Sequence, residues 1–377
     1  MNKNILPFTR PTLGAEEQQA VNEVLASGWL TTGPKVDALE QALADYIGGG
    51  VSVRLLNSAT SALEATFIAL NVGSGDEVIL PAMSFTATAN VVVRVGATPV
   101  FVDVDPVSRN LSVQQVEAAV TPRTRAVMPV HFAGLAVEMQ SLYDLAERSR
   151  LIVIEDAAQA IGSKVDGRMI GAAGNPVCFS FHPNKNMTTI EGGAIASSDM
   201  QLLRRIERIR FHGIEKDAQG NMDVPEWGGK MNLADVSASI GLVQLSRLDA
   251  FNRRRRELAQ AYIRLLPQHA ALVIPRDQEG HSWHMLCVCI DFAALGMSRN
   301  TFQQRLQKLG VGSGVHYPAM HLFSLYRSYG YGPGDFPEAE RIGEQTLTLP
   351  LFPSMQDTDV EQVCAALSQL LCGVNAT

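Results

Sequence analysis

The chain has no stretch of 18 uncharged apolar residues, and no apolar core follows the opening Met1-Asn2-Lys3-Asn4. Neither a spanning helix nor a secretory leader is therefore expected, and a cytoplasmic protein is. Charged residues make up only 18% of the sequence against 46% apolar, which argues for a globular chain over a disordered one. The net charge is -7, and the longest basic run is Arg253 to Arg256, so no nucleic-acid footprint is expected. There is no GxGxxG after the first strand and no GxxxxGK[ST], which weakens dinucleotide and nucleoside-triphosphate readings. Cysteines are few: Cys178, Cys287, Cys289, Cys364 and Cys372. Being odd in number and mostly within apolar runs, they read as reduced core residues, and no nearby acid or histidine spacing suggests a metal site.

At 377 residues the chain suits a large domain with a smaller one. Helical spacing marks residues 14–26 and 35–46, with a loop at 29–34 between them. From the strand at 53–56 an alternation begins. Strands are expected at 78–80, 100–104, 126–130 and 151–154, with helices from 57–60 through 70 and at 85–93, 113–119 and 139–149. Short strands without polar alternation, separated by helices, predict a parallel sheet covered on both faces. Ligands of such sheets bind beyond the carboxyl ends of the strands, where Asn57, Asp156 and Ser180 fall. Helices are expected at 199–210, 234–248, 252–265, 301–309 and 357–371, and a strand at 285–290. Residues 211–230 read as a long loop ordered by a ligand or partner. The domain boundary is placed near residue 250, giving units 1–250, with an N-terminal arm, and 251–377.

The chemistry centres on Val177 to Ile195. An apolar strand, Val177 to Phe181, empties into a polar segment carrying Lys185, and Gly192-Gly193 opens a second apolar run. Such a lysine is either a surface-loop residue or an amine kept for nucleophilic work. Asp156 closes a buried strand, where a carboxylate needs a partner. It could hold the ring nitrogen of pyridoxal phosphate (PLP) in its charged state, or it could cap a helix. Ser58-Ala59-Thr60-Ser61 could cup a phosphate at a helix start or merely open the helix. Ser180 could add an oxygen, and Phe85 could supply an aromatic face or belong to the core.

Taken in order, phosphate cup, aromatic face, buried acid and lysine form a set. The sequence resembles the PLP-dependent sugar aminotransferases of the DegT/DnrJ/EryC1/StrS family from Pro7 to about Gly373. The likeness is carried by the run Ser27 to Pro34, by Glu155-Asp156-Ala157-Ala158-Gln159 and by Ser180-Phe181-His182 with Lys185. Glu191-Gly192-Gly193 and Asn232-Leu233-Ala234-Asp235 extend it. The resemblance implies the aspartate-aminotransferase fold (fold type I): a large, mostly parallel seven-stranded sheet domain and a smaller C-terminal α/β domain. It implies PLP as cofactor, held by Lys185 as a Schiff base, with Asp156 on the pyridine nitrogen. Ala59, Thr60 and Ser180 would contact the phosphate, Phe85 would stack on the ring, and Gln159 would lie near its oxygen. Asn232 would reach the phosphate from a neighbouring subunit, which implies a homodimer with shared active sites. Arg10, Thr31, His316 and His321 would lie toward a nucleotide-sugar substrate, and L-glutamate would give the amino group, leaving as 2-oxoglutarate. Leu6 to Pro11, Phe211-His212-Gly213, Gly312 to Tyr317 and Leu349 to Pro353 look most like members acting on a UDP-4-keto-pentose, UDP-L-Ara4O. Amination of another UDP- or dTDP-linked ketosugar is the alternative. A sugar dehydratase, in which some relatives carry histidine for the lysine, and a non-catalytic regulator are further alternatives.

Overall fold

A computed structural model describes residues 5–372. Strands β1 (Ser52–Leu56), β2 (Glu77–Pro81), β3 (Thr98–Val102) and β4 (Thr124–Val127) come first in the chain. They are followed by β5, in two pieces (Ile152–Val153 and Glu155–Asp156), β6 (Val177–Ser180) and β7 (Gly193–Ser197). The pieces of β5 join what would otherwise be two four-stranded sheets. Ile154 donates to the Val127 carbonyl at 3.1 Å and Asp156 to that of Pro129 at 2.9 Å, so the ladder continues. The order is β3-β2-β4-β5-β6-β7-β1, with β7 the one strand running against the rest. This is the expected mostly parallel seven-stranded sheet.

The reason lies in the side chains. Val78, Ile79 and Leu80 are each fully buried, as are Val177, Cys178 and the flanking Phe181. Each large apolar side chain removed from water contributes about 1.5–3 kcal/mol. Helices α1 (Ala15–Ser27), α2 (Pro34–Ile47), α3 (Ala59–Ala69), α4 (Thr86–Arg94), α5 (Val113–Ala119), α6 (Met139–Ser149) and α7 (Met200–Ile209) accompany the sheet. Their starts are chemically marked: Ser58 Oγ accepts from Ser61 N–H at 3.0 Å, and Asp199 accepts from two amides of α7. Gly28, with φ of +73°, ends α1 in the left-handed conformation that glycine adopts without cost.

Two expectations need correction. Residues 234–248 and 252–265 are not separate helices but one, α8 (Asp235–Leu265), of 31 residues. Nothing in Asp249-Ala250-Phe251 breaks a helix: there is no glycine or proline, and Phe251 is buried. Residues 211–230 are also more than a loop. They contain a hairpin, Glu215–Lys216 against Met222–Asp223, and Glu226 ties the segment to α7 through Arg205 at 2.8 Å and Arg208 at 2.5 Å. Ion pairs within the chain anchor this segment to α7.

The C-terminal part builds a three-stranded antiparallel sheet from β8 (Leu272–Val273), β9 (Leu286–Ile290) and β10 (Thr346–Leu349). Leu286, Val288 and Ile290 enter a core with Leu258 and Tyr262 of α8, α9 (Arg299–Lys308) and the closing helix Asp357–Cys372. Cys287 and Cys289, on the other face of β9, enter the core of the large sheet. One strand thus serves two cores and fixes the C-terminal part against the sheet. All five cysteines are free, four of them buried. Among the described residues no helix is long and apolar enough to cross a membrane, and no cluster of metal-ligating side chains occurs.

Candidate active site

The site lies where β1, β5 and β6 end. Lys185 occupies a tight polar loop pinned along its length. Its own amide donates to the His182 carbonyl at 2.9 Å, and Thr188 Oγ1 donates to the Phe181 carbonyl at 3.0 Å. Asn186 Nδ2 donates to Asn252 Oδ1 at 2.7 Å and to the Ser282 carbonyl at 2.9 Å. The lysine is half-buried within a dense protein surround. That burial lowers its pKa to about 8, against the pull of the nearby Asp156 carboxylate in the other direction. An amine in this state is neither a free surface cation nor a paired one.

Asp156 is buried, and both carboxylate oxygens are oriented. Thr88 Oγ1 donates to Oδ2 at 2.8 Å, and the Ala158 amide donates to Oδ1 at 3.1 Å. Thr88 is in turn 2.8 Å from Ser84 Oγ. Gln159, also buried, accepts from the Ala133 amide at 2.7 Å through Oε1 and extends Nε2 toward the Tyr317 hydroxyl at 3.5 Å. Phe85 precedes α4 with its ring uncovered, 56% exposed, and 6.0 Å from the ring of Tyr317. This is no core phenylalanine.

Ala59 and Thr60 open α3, where first-turn amides have no partner inside the helix. β7 passes directly beneath that turn. A Cβ on Gly193 would come within 2.3 Å of the Ala59 nitrogen and 2.4 Å of the Ser58 carbonyl carbon. Only glycine lets the strand approach so closely. Ser180 ends β6 and is buried.

The substrate-side residues divide. His316 stands in the field of Lys185, and burial and that charge lower its pKa to about 4; its Nδ1 is 2.7 Å from Thr348 Oγ1. Arg10 is exposed above the ring of Phe352 at 5.8 Å, and Thr31 is exposed on the loop before α2. His321 is fully buried, with Nε2 3.0 Å from Glu340 Oε1 and its ring edge-on to Phe336. Its surroundings are those of a packed core group. Asn232 Nδ2 donates to Thr32 Oγ1 of the same chain at 2.6 Å, and its buried Oδ1 has no partner among the described residues.

Sequence reasoning missed Thr88, Tyr317 and His284. The last is buried, with both ring nitrogens unpartnered among the described residues. Burial first, then the charge of Lys185, holds its pKa well below the usual histidine range. Signals existed for two of them: Thr88 follows Ser84 by four residues across the start of α4, and Tyr317 closes the run Gly312 to Tyr317.

A lysine of lowered pKa, a buried acid, an uncovered aromatic ring and uncommitted helix-start amides fit a flat, phosphate-bearing aldehyde. Residues 11–368 match the model of the DegT/DnrJ/EryC1/StrS aminotransferase family. The chain belongs to that family. It is an aminotransferase, and its cofactor is PLP. Among solved structures it resembles Spr1654 of Streptococcus pneumoniae, assigned as a sugar aminotransferase and solved in PLP and PMP forms. The PMP form has 32% identity and a TM-score of 0.93 over 98% of this chain and 99% of that one. The aminotransferase TlmJ of Streptoalloteichus hindustanus is 35% identical, with a TM-score of 0.91 over 99% and 100% of the two chains. PseC of Helicobacter pylori, an aminotransferase of pseudoaminic acid biosynthesis, is 27% identical, with a TM-score of 0.91 over 98% and 100%.

Proposed function

We propose that this enzyme moves an amino group from L-glutamate to the 4-keto carbon of a nucleotide-linked sugar. The first substrate we assign is UDP-L-Ara4O, giving UDP-4-amino-4-deoxy-L-arabinose, the sugar used to modify lipid A, in the cytoplasm. The observation that carries the reaction class is the half-buried Lys185 amine with its pKa near 8, facing the fixed Asp156 carboxylate. At pH 7.5 about a quarter of such an amine is neutral, against about a thousandth at an ordinary lysine pKa. Lys185 Nζ is therefore equipped to hold the cofactor and, when released, to take a proton from one carbon and return it to another. Asp156, held by Thr88 and the Ala158 amide, would bind the pyridine nitrogen in its protonated form. When bound, PLP supplies an electron-accepting ring for the pair left on carbon as the proton departs. Ala59, Thr60 and Ser180 would hold the phosphate, Phe85 would cover one ring face, and Gln159 would orient the ring oxygen.

In this reading the chain works as two units meeting near residue 250, and as a homodimer with shared active sites. The uncovered Trp29, Leu30, Phe211 and Trp227 supply apolar area for such a contact. Asn232 would reach the partner's phosphate through its Nδ2 donor, which in the single chain bonds Thr32 Oγ1 instead. Arg10, Thr31 and His316 are assigned to the nucleotide-sugar side on the family likeness, with His316 best supported by the field of Lys185, while His321, buried against Glu340 and Phe336, is not carried into that role. A panel of UDP- and dTDP-linked 4-keto and 3-keto sugars, assayed for glutamate-dependent amination, tests the substrate. Turnover confined to dTDP-linked sugars would reject UDP-L-Ara4O, and water loss without net amination would reject transamination.

A further inference from the structure

Beyond the lysine site, a second cavity opens between the loop after β3 and the segment leading into β9. Its wall includes Arg109, Phe132, Arg276, His281, Trp283 and Cys287, and no carboxylate lines it. Arg109 reaches it from a turn built by Asp105, whose Oδ1 accepts from the amides of Val107 and Ser108. Its φ of +61° is one that a non-glycine residue adopts at some cost. The arginine is only 6% exposed and lies over the ring of Phe132 at 6.0 Å. Its Nη1 has no hydrogen-bond partner among the described residues. Trp283, fully buried in the same wall, likewise has no acceptor for its Nε1–H. His281 stacks on that indole at 4.1 Å, and its Nδ1 accepts from the Trp283 amide at 2.9 Å. The proton of the neutral ring is thereby placed on Nε2. Every orphaned group in this wall is a donor, and one is a buried guanidinium.

Burying a guanidinium without a counter-charge is costly, and water alone does not neutralise it. The cavity is about 30 Å3 and open at its mouth, so it admits the oxygen end of a small oxyanion with the rest of the group directed outward. We propose that Arg109, Trp283 and His281, with Arg276 at the mouth, form a binding site for a small oxyanion, a carboxylate or phosphate group. It is separate from the cofactor cup at the start of α3. The site is not isolated from the chemistry. Ala133, which also lines the cavity, donates its amide to Gln159, so an occupant would press on a residue assigned to the cofactor ring.

The test uses PLP-loaded enzyme, whose own phosphate cup is filled, melted in inorganic phosphate or acetate at constant ionic strength balanced with chloride. At about 100-fold over Kd, binding to the folded state should raise Tm by on the order of 2–4 °C and then saturate. Saturation with phosphate alone identifies a phosphate ligand; saturation with acetate identifies a carboxylate. Arg109→Met should abolish the response and, in chloride alone, melt above the wild type because the orphaned charge is gone. Arg276→Gln, a change at an exposed position, should fold normally and raise the half-saturating concentration about tenfold. An anion effect no larger than that of chloride, or an equal response in Arg109→Met, would overturn the proposal. If Arg109→Met fails to fold, an unchanged half-saturation in Arg276→Gln overturns it instead.

Discussion

Replacing Lys185 by methionine isolates the energetic consequence of holding an amine in this site. In the cofactor-free enzyme its pKa is about 8, against an ordinary value of 10.5, and burial is the larger cause. The sign follows from proton linkage. Between pH 8 and 10.5 the unfolded chain keeps a proton that the folded chain has released, so wild-type stability gains with rising pH. A shift of this size corresponds to about 3 kcal/mol across that window. Lys185 is half-buried, so solvent screening reduces the observed figure to roughly 1–3 kcal/mol. Lys185→Met cannot titrate. Its stability advantage over the wild type should be largest at pH 7 and should shrink by that amount toward pH 10.5. Urea unfolding of both cofactor-free proteins, at one protein concentration, measures the difference, and the other titrating groups cancel in the comparison. A difference flat between pH 7 and 10.5 would refute the assignment of Lys185 as a desolvated amine.

Other consequences are simpler. Gly193→Ala forces a Cβ against the Ser58–Ala59 peptide and should cost about 1–3 kcal/mol of stability, read by urea unfolding, together with PLP retention on dialysis. Phe85→Ala removes an exposed ring and should change cofactor-free stability by less than about 0.5 kcal/mol, while PLP affinity measured by absorbance titration falls. Thr88→Val leaves Asp156 Oδ2 without its donor and should cost about 1–3 kcal/mol by urea unfolding, with Thr88→Ser restoring most of it.

Much of this molecule is legible in its sequence because the sheet is written in local terms. Val78-Ile79-Leu80 and Val177-Cys178-Phe179 are apolar without alternation, and a strand buried on both faces requires just that. Lys185 and Asp156 stand out because each is a charge next to a buried strand. What was not legible depends on distant partners. Thr346–Leu349 alternates threonine and leucine over four residues only, too short a run to mark a strand, and becomes one through pairing with Leu286–Ile290, some sixty residues earlier. The hairpin within residues 211–230 is held to another element by pairs that no local pattern announces, Arg208 with Glu215 and Arg205 and Arg208 with Glu226. The length of α8 was missed for the opposite reason. Its polar stretch around Arg253 to Arg256 weakens the apolar stripe, yet nothing there stops the helix, and Arg255 is buried by donating to the Leu351 carbonyl at 2.8 Å. His284 and Arg109, whose orphaned atoms are among the most informative in the structure, have no sequence signature at all.

The most direct test of the whole account is chemical. The PLP-loaded enzyme is reduced with borohydride, digested and mapped by mass spectrometry. The account predicts one cofactor-derived mass, on the peptide containing Lys185. A label on another lysine, or an unmodified Lys185 in enzyme that still transaminates, would contradict it.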